Sequence, residues 1–477
     1  MKTGKPKGLA LILLALSQLI LALDYTIVFV AMPSLAASLG FTANSLQWVV
    51  SAYSLTYGGF LIVGGRLSDW LGQRRMFMLA MGLFGLGSLL GGLADSQLPL
   101  IIARGIQGLG GALLSPATLS LIMSNFKEGP ERNRAMSVWA SMGGVGLSLG
   151  LLLGGILTSY TGWESTFLVN VPIALLVILL SPVALKESRA ETHTRHFDAA
   201  GTLSVTAGMV LVVYYLIQAP VIGWLQAEVW IPGLIGAVLL MLFAYIEQRT
   251  SNPLVPVRLL KVRNLTGAFL TAALFSASFG TLYYFLTLYT QEVLHYSAVQ
   301  SGLTFLPLTI SALLGAKLIN KMLNKFGVKG TIASGMAIGA VGFMMLTPLT
   351  EASSALHVIP GLIVIGIGQA FVFTTMYIAG SSGIEMHEQG IASSLVTTGQ
   401  QLGGSVGLAV IMAIISAAMS SNHSLETMAP TDLNGAVTLA FIIEAVIAVS
   451  GIFMTFAALR SMSKQPGQVG MEVTSQH

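Results

Sequence analysis

The feature that most constrains this chain is the recurrence of apolar windows about twenty residues long. Short loops between them hold almost all of the charge. A helix of that length, rising about 1.5 Å per residue, crosses the roughly 30 Å hydrocarbon core of a bilayer. In lipid each segment must satisfy its own backbone N–H and C=O groups, so windows of this length are read as helices. We place fourteen, at residues 8–36, 45–64, 75–94, 98–122, 134–158, 165–185, 199–217, 229–246, 265–290, 299–319, 330–349, 357–380, 391–417 and 436–459. Charged residues are only 9% of the chain and apolar residues 54%, whereas a soluble domain carries about 25% charged residues. With a mean hydropathy of +0.80, the expected class is an all-α polytopic membrane protein.

Several function classes fall away. There is no cysteine, so disulfides, thiolate metal sites and cysteine nucleophiles are excluded. The isoelectric point of 9.2 invites a nucleic-acid reading, but the basic residues form no patch or stripe, and no nucleic-acid partner is expected. Lys2, Lys5 and Lys7 ahead of Leu9 imitate a signal peptide; the apolar run continues past the usual length and is read as the first span. No zinc-protease motif, nucleophile constellation or phosphate loop is present, so an enzyme or receptor ranks low, and neither metal nor cofactor is expected.

Charge gives sidedness. With the N-terminus inside, Arg66, Arg74, Arg75, Lys127, Arg132, Arg134, Lys186, Arg249, Arg258, Lys325 and Arg460 all fall on the cytoplasmic side, and the outer loops receive no Lys or Arg. Missing one span would invert every later loop, so the segregation supports an even count with both termini cytoplasmic in the cell membrane.

The loop Gly65-Arg66-Leu67-Ser68-Asp69-Trp70-Leu71-Gly72-Gln73-Arg74-Arg75 resembles the signature between the second and third spans of the major facilitator superfamily. Gly65, Leu67, Asp69, Gly72, Arg74 and Arg75 stand in their places, and Asn324–Lys329 resembles a degraded copy. The resemblance implies two related six-helix halves that rock about a substrate site between them. The expected organisation is 1–185 as the first half, 186–198 as a cytoplasmic linker and 199–246 as an inserted helix pair. A cytoplasmic interfacial loop follows at 247–264, then the second half at 265–463 and a disordered cytoplasmic tail at 464–477. Asp69 would meet a helix N-terminus and a basic residue at the cytoplasmic gate.

The first span carries Asp24, an acid at membrane depth that costs roughly 2.5–3.5 kcal/mol and so faces a cavity or a partner. Its surroundings, with Asp24, Thr26, Ala31 and Pro33 in register, resemble the first-span motif of drug–proton antiporters. Arg104, in Arg104-Gly105-Ile106-Gln107-Gly108 on the fourth span, resembles the family arginine associated with proton coupling. Depth along the two helices lets its long side chain approach Asp24. Gly146, Gly150 and Gly154, with Gly155 beside them, form a small-residue stripe on the fifth span. The stripe resembles the antiporter glycine motif with Leu151 in place of proline. Gly162, Trp163, Phe167, Asn170 and Pro172 resemble the start of the sixth span in fourteen-span drug exporters. Gly399, Gly403 and Gly407 make a similar stripe later.

Glu444 is a second acid within a span and matches no motif; it joins Asp24 and Arg104 as a candidate for proton or cation handling. Tyr25, Tyr53, Tyr57, Gln107, Tyr284 and Gln400 are candidates to line a cavity, although such residues also serve as ordinary helix packing. Glu385 and Glu388, near span ends, are expected to be solvated. The chain as a whole resembles the fourteen-span drug:proton antiporters of the quaternary-ammonium and multidrug type. That implies proton-coupled export of drug-like, lipophilic, cationic small molecules by a monomer in the bilayer. Export of an endogenous metabolite, peptide or lipid-like molecule is the alternative.

Overall fold

The computed structural model describes residues 7–41, 43–187, 199–250, 253–385, 388–419 and 430–459. The 464–477 tail and most of the 186–198 linker lie outside these residues, as does the side chain of Asp69. Every regular element among the described residues is helical. In chain order they are α1 (Lys7–Leu39), α2 (Ala43–Leu71), α3 (Gln73–Gly92), α4 (Gln97–Asn125), α5 (Pro130–Thr161), α6 (Glu164–Leu168), α7 (Asn170–Ala184), α8 (Ala199–Ile222) and α9 (Ala227–Arg249). After α10 (Val257–Leu260), α11 (Arg263–Phe275) runs through a π-turn at Ser276–Gly280 into α12 (Leu282–Leu288) and a second π-turn at Tyr289–Val293. The last five are α13 (Ala298–Thr304), α14 (Leu306–Leu346), α15 (Ala355–Ser381), α16 (Gln389–Met419) and α17 (Pro430–Ala458).

Twelve stretches among the described residues are long and apolar enough to cross a membrane. One of them, Val299–Leu346, is 48 residues long, because α14 continues through a single non-helical residue, Gly327, at φ 66° and ψ −175°. The sequence reading puts a loop at Asn324–Lys329 between two spans; the structure turns the chain at one glycine instead. A positive φ is open to glycine because it has no Cβ to collide with the backbone. The signature loop contracts in the same way. Residues 65–71 are the last turns of α2, and only Gly72, at φ 101°, stands outside a helix before α3 begins at Gln73.

Burial ranks the helices from inside to outside. The apolar window of α4 is 89% buried and that of α9 only 11%, so α4 is an inner helix and α9 a perimeter one. α4 packs on α1, α2 and α3, and α3 packs on α7. α9 lies against α8, and α8 touches both α2 and α16. Contacts between the amino-terminal helices α1–α7 and the carboxy-terminal helices α11–α17 run through two seams. One is α2 and α4 against α16; the other is α5 against α13, α14 and α15. In the second seam Ser148 and Thr309 hydrogen-bond across the boundary.

Candidate functional site

Asp24 sits in the middle of α1 with no exposed surface. Arg104 Nη1 reaches its Oδ2 at 2.7 Å. Gln107 Nε2 donates to Oδ1 at 2.8 Å and Asn170 Nδ2 donates to the same oxygen at 2.9 Å. All four side chains are buried. Three donors thus converge on the two Asp24 oxygens, and the Arg104 guanidinium supplies the matching positive charge. The neighbours are themselves tied down. Arg104 Nε donates to Val49 O at 2.8 Å, Nη1 also donates to Gln107 Oε1 at 2.9 Å, and the guanidinium lies 4.5 Å from the Tyr53 ring centroid. Gln107 Nε2 further reaches Ser88 Oγ at 2.8 Å. The cluster therefore joins α1, α2, α3, α4 and α7 at one point. Asn170 Oδ1 alone has no partner among the described residues.

Helix geometry explains the assembly. Arg104 and Gln107 are three apart on α4 and so share a face. Asn170 opens α7, directly after the short α6, which places its amide at the depth of Asp24. On its other side α1 is held by α5. A Cβ on Gly146 would meet Leu19 O at 2.5 Å, one on Gly154 would meet Ile27 O at 2.8 Å, and one on Gly150 would overlap Thr26 Oγ1. Thr26 Oγ1 in turn donates to Leu147 O at 2.7 Å. Gly155 is buried on the same helix. Lys7 Nζ and Glu131 Oε1, 2.5 Å apart, join the starts of α1 and α5.

Of the residues singled out in the sequence, the structure gathers Asp24, Arg104, Gln107, Asn170 and Tyr53. Tyr57 stacks on Tyr53 at 5.6 Å between centroids, extending the cluster along α2. Gln400 belongs to a different group. It accepts from the Tyr377 hydroxyl at 2.5 Å, and Tyr377 meets Trp139 edge-on at 5.2 Å, so this group ties α16 and α15 to α5. Tyr25, 41% exposed, packs edge-on against Phe29, and Tyr284, 36% exposed, lies beside Phe285. Glu444 is remote, on α17, hydrogen-bonded to Thr281 at 2.8 Å.

In the signature segment, a Cβ on Gly65 would meet Gly390 O at 2.7 Å and Ser394 Oγ at 2.8 Å, so this turn of α2 packs directly on the start of α16. Arg74 and Arg75 turn to the end of α7. Their Nε atoms lie 3.4 and 3.8 Å from Glu187 Oε2, and Arg74 Nη1 donates to Leu185 O at 3.3 Å. Glu388 corrects the sequence expectation of a solvated acid. It is 3% exposed and paired with Arg258 at 2.5 Å, a residue of the 253–260 segment. That segment is anchored by Glu247, whose carboxylate accepts from the backbone N–H groups of Leu254 and Val255 at 3.1 Å each.

Twelve long apolar helical stretches around a buried charge cluster, among the described residues, define a polytopic membrane protein. The family model described as Major Facilitator Superfamily matches residues 14–408, and the chain belongs to that superfamily: it is a multi-pass membrane transporter and not an enzyme. Among curated proteins it is 37% identical to the cephamycin export protein CmcT of Amycolatopsis lactamdurans, over 87% of this chain and 86% of the relative. It is 36% identical to the puromycin resistance protein pur8 of Streptomyces alboniger, over 89% and 85%. Among solved structures, the human organic anion transporter MFSD10 superposes with a TM-score of 0.65 over 94% of this chain and 99% of that one. At 15% identity, that likeness speaks to fold alone.

Proposed function

We propose that this chain is a proton-coupled antiporter that exports lipophilic, cationic drug-like compounds by alternating access. The observation that carries the reading is the buried Asp24 carboxylate and its three donors on α4 and α7. A proton arriving on Asp24 removes the charge that holds Arg104 and turns one acceptor oxygen into a donor facing other donors. Arg104, Gln107 or Asn170 must then withdraw, and α4 or α7 shifts against α1. An acid that alternately holds a proton and attracts a cation couples the two fluxes. Each net charge moving inward down 100 mV supplies about 2.3 kcal/mol. The names of the two curated relatives, one an export protein and one a resistance protein, support export as the direction.

In this reading there are fourteen spans: the two arms of Val299–Leu346 on either side of Gly327 count separately, and α8 is added to the apolar stretches. They form two six-helix halves with α8 and α9 inserted, both termini are cytoplasmic, and the monomer is the working unit. The test is ethidium efflux from proteoliposomes under an imposed pH gradient. Asp24→Asn abolishes coupled efflux while the protein remains folded; full coupled efflux in that variant ends the assignment. The relative described as a cephamycin export protein favours a second reading, export of an endogenous product. In that case expression in drug-sensitive cells gives no broad resistance to amphipathic cations.

A further inference from the structure

Glu444 is a second carboxyl group sealed among the helices, with 0% exposure. Its surroundings are the opposite of those around Asp24. Its only hydrogen-bonding neighbour among the described residues is Thr281, at Oε1, and Oε2 has none. No cation pairs with it among the described residues. The elements packed on α17 are α11, α12, α14, α16 and the two π-turns. α16 has no charged residue. Arg263 and Lys329 donate to the carbonyls of Ala457 and Phe456, Tyr289 donates to Thr350 O, and the Tyr283 hydroxyl accepts from Gln369. Tyr284, Glu292, Lys317, Lys321, Lys325 and Asp432 are exposed, away from this sealed position. A charge buried with one neutral donor is costly, and a proton removes that cost.

Thr281 supplies the geometry that makes the proton matter. Its Oγ1 lies 2.8 Å from Glu444 Oε1 and 3.0 Å from each of the carbonyl oxygens of Ala277 and Ser278, in the first π-turn. One hydroxyl carries one proton and cannot serve all three. With Glu444 neutral, its O–H donates to Thr281, and Thr281 donates to a π-turn carbonyl. With Glu444 ionised, the carboxylate takes the Thr281 proton away from the π-turn. That turn lies against the glycine stripe of α16: a Cβ on Gly407 would meet Ala277 Cα at 2.5 Å. α16 in turn packs on α2 and α4. π-turns inside α-helices concentrate at functional positions.

We propose that Glu444 is a second proton-binding site, loaded in the conformation described here and emptied when the helices move, so that each cycle exchanges a second proton. This rests on the antiport reading above. The step is a bare proton transfer: the O–H bond of Glu444 breaks, the proton passes to water admitted at the site, and the carboxylate remains.

The test uses the full chain in proteoliposomes with the membrane potential clamped at zero and ethidium as probe. With two protons exchanged, each pH unit of gradient multiplies accumulation about a hundredfold, and with one about tenfold. Glu444→Gln, which keeps a neutral hydrogen-bonding side chain, therefore lowers the accumulation ratio about tenfold per pH unit. An unchanged ratio at every gradient overturns the proposal. Absence of any gradient-driven accumulation in the unsubstituted protein instead overturns the antiport reading. Infrared pH-difference spectra in lipid read the proton without any substrate. A titrating carboxyl band present in the unsubstituted protein and missing from Glu444→Gln supports the site, and identical spectra overturn it.

Discussion

Two alanine substitutions on the same helix are expected to act with opposite sign. Gly144 and Gly150 both lie inside α5, and exchanging glycine for alanine in a helix interior gains about 0.5–1 kcal/mol through backbone entropy. At Gly144 the nearest atom to an added Cβ is Gln369 Nε2 at 3.9 Å, an ordinary contact, so that gain survives. At Gly150 the Cβ overlaps Thr26 Oγ1 and stands 2.5 Å from Leu23 O, which is backbone and cannot rotate away. Overpacking costs about 1–3 kcal/mol. Displacing Thr26 also breaks its bond to Leu147 O, worth about 0.5–1.5 kcal/mol. After the entropy gain is subtracted, Gly150→Ala loses about 0.5–4 kcal/mol. Thermal unfolding of the full chain in detergent, followed by intrinsic fluorescence, reads both. The midpoint should rise for Gly144→Ala and fall for Gly150→Ala. Adding Thr26→Ala to the latter should recover only part of the loss, because Leu23 O remains. A raised midpoint for Gly150→Ala would refute the claim that α1 and α5 touch backbone to backbone at this point.

The Asp24–Arg104 pair should behave as a unit. Either Asp24→Asn or Arg104→Gln alone leaves an uncompensated buried charge and costs about 3–5 kcal/mol, whereas the double variant recovers most of it without recovering transport; additive losses in a thermal-unfolding cycle would show that the two charges do not interact. Gly72→Ala places a Cβ on a residue at φ 101° and should cost about 1–3 kcal/mol, read as a lowered unfolding midpoint, and an unchanged midpoint would show that the α2–α3 junction relaxes freely.

The charged half of the site was legible because Asp24 and Arg104 interrupt apolar runs, where an ionised group stands out against its cost. The neutral half was not. Ser88 shows no periodic or charge signal within its span, and its contact with Gln107 depends on how α3 and α4 pack. Asn170 was visible only as part of a motif, and its partner is fixed by the break between α6 and α7. Span positions followed directly from hydropathy, but the junctions did not: Gly65 reads as a turn residue, yet it lies within α2, where its bare backbone admits α16. Glu388 lies near a span end, and its pairing with Arg258, distant in sequence, leaves no local signal.

The placement of α8 constrains how the molecule can change shape. It bridges α2 and α16, so a motion that parts those two walls must leave it attached to one of them. Val210 nests over Gly59, Val213 would lie 3.2 Å from a Cβ on Gly58, and Tyr214 stacks on Trp48 at 6.2 Å. These are interlocking contacts with α2. α8 therefore shares its interlocking contacts with α2, and a motion that parts α2 from α16 is expected to open along the α8–α16 face.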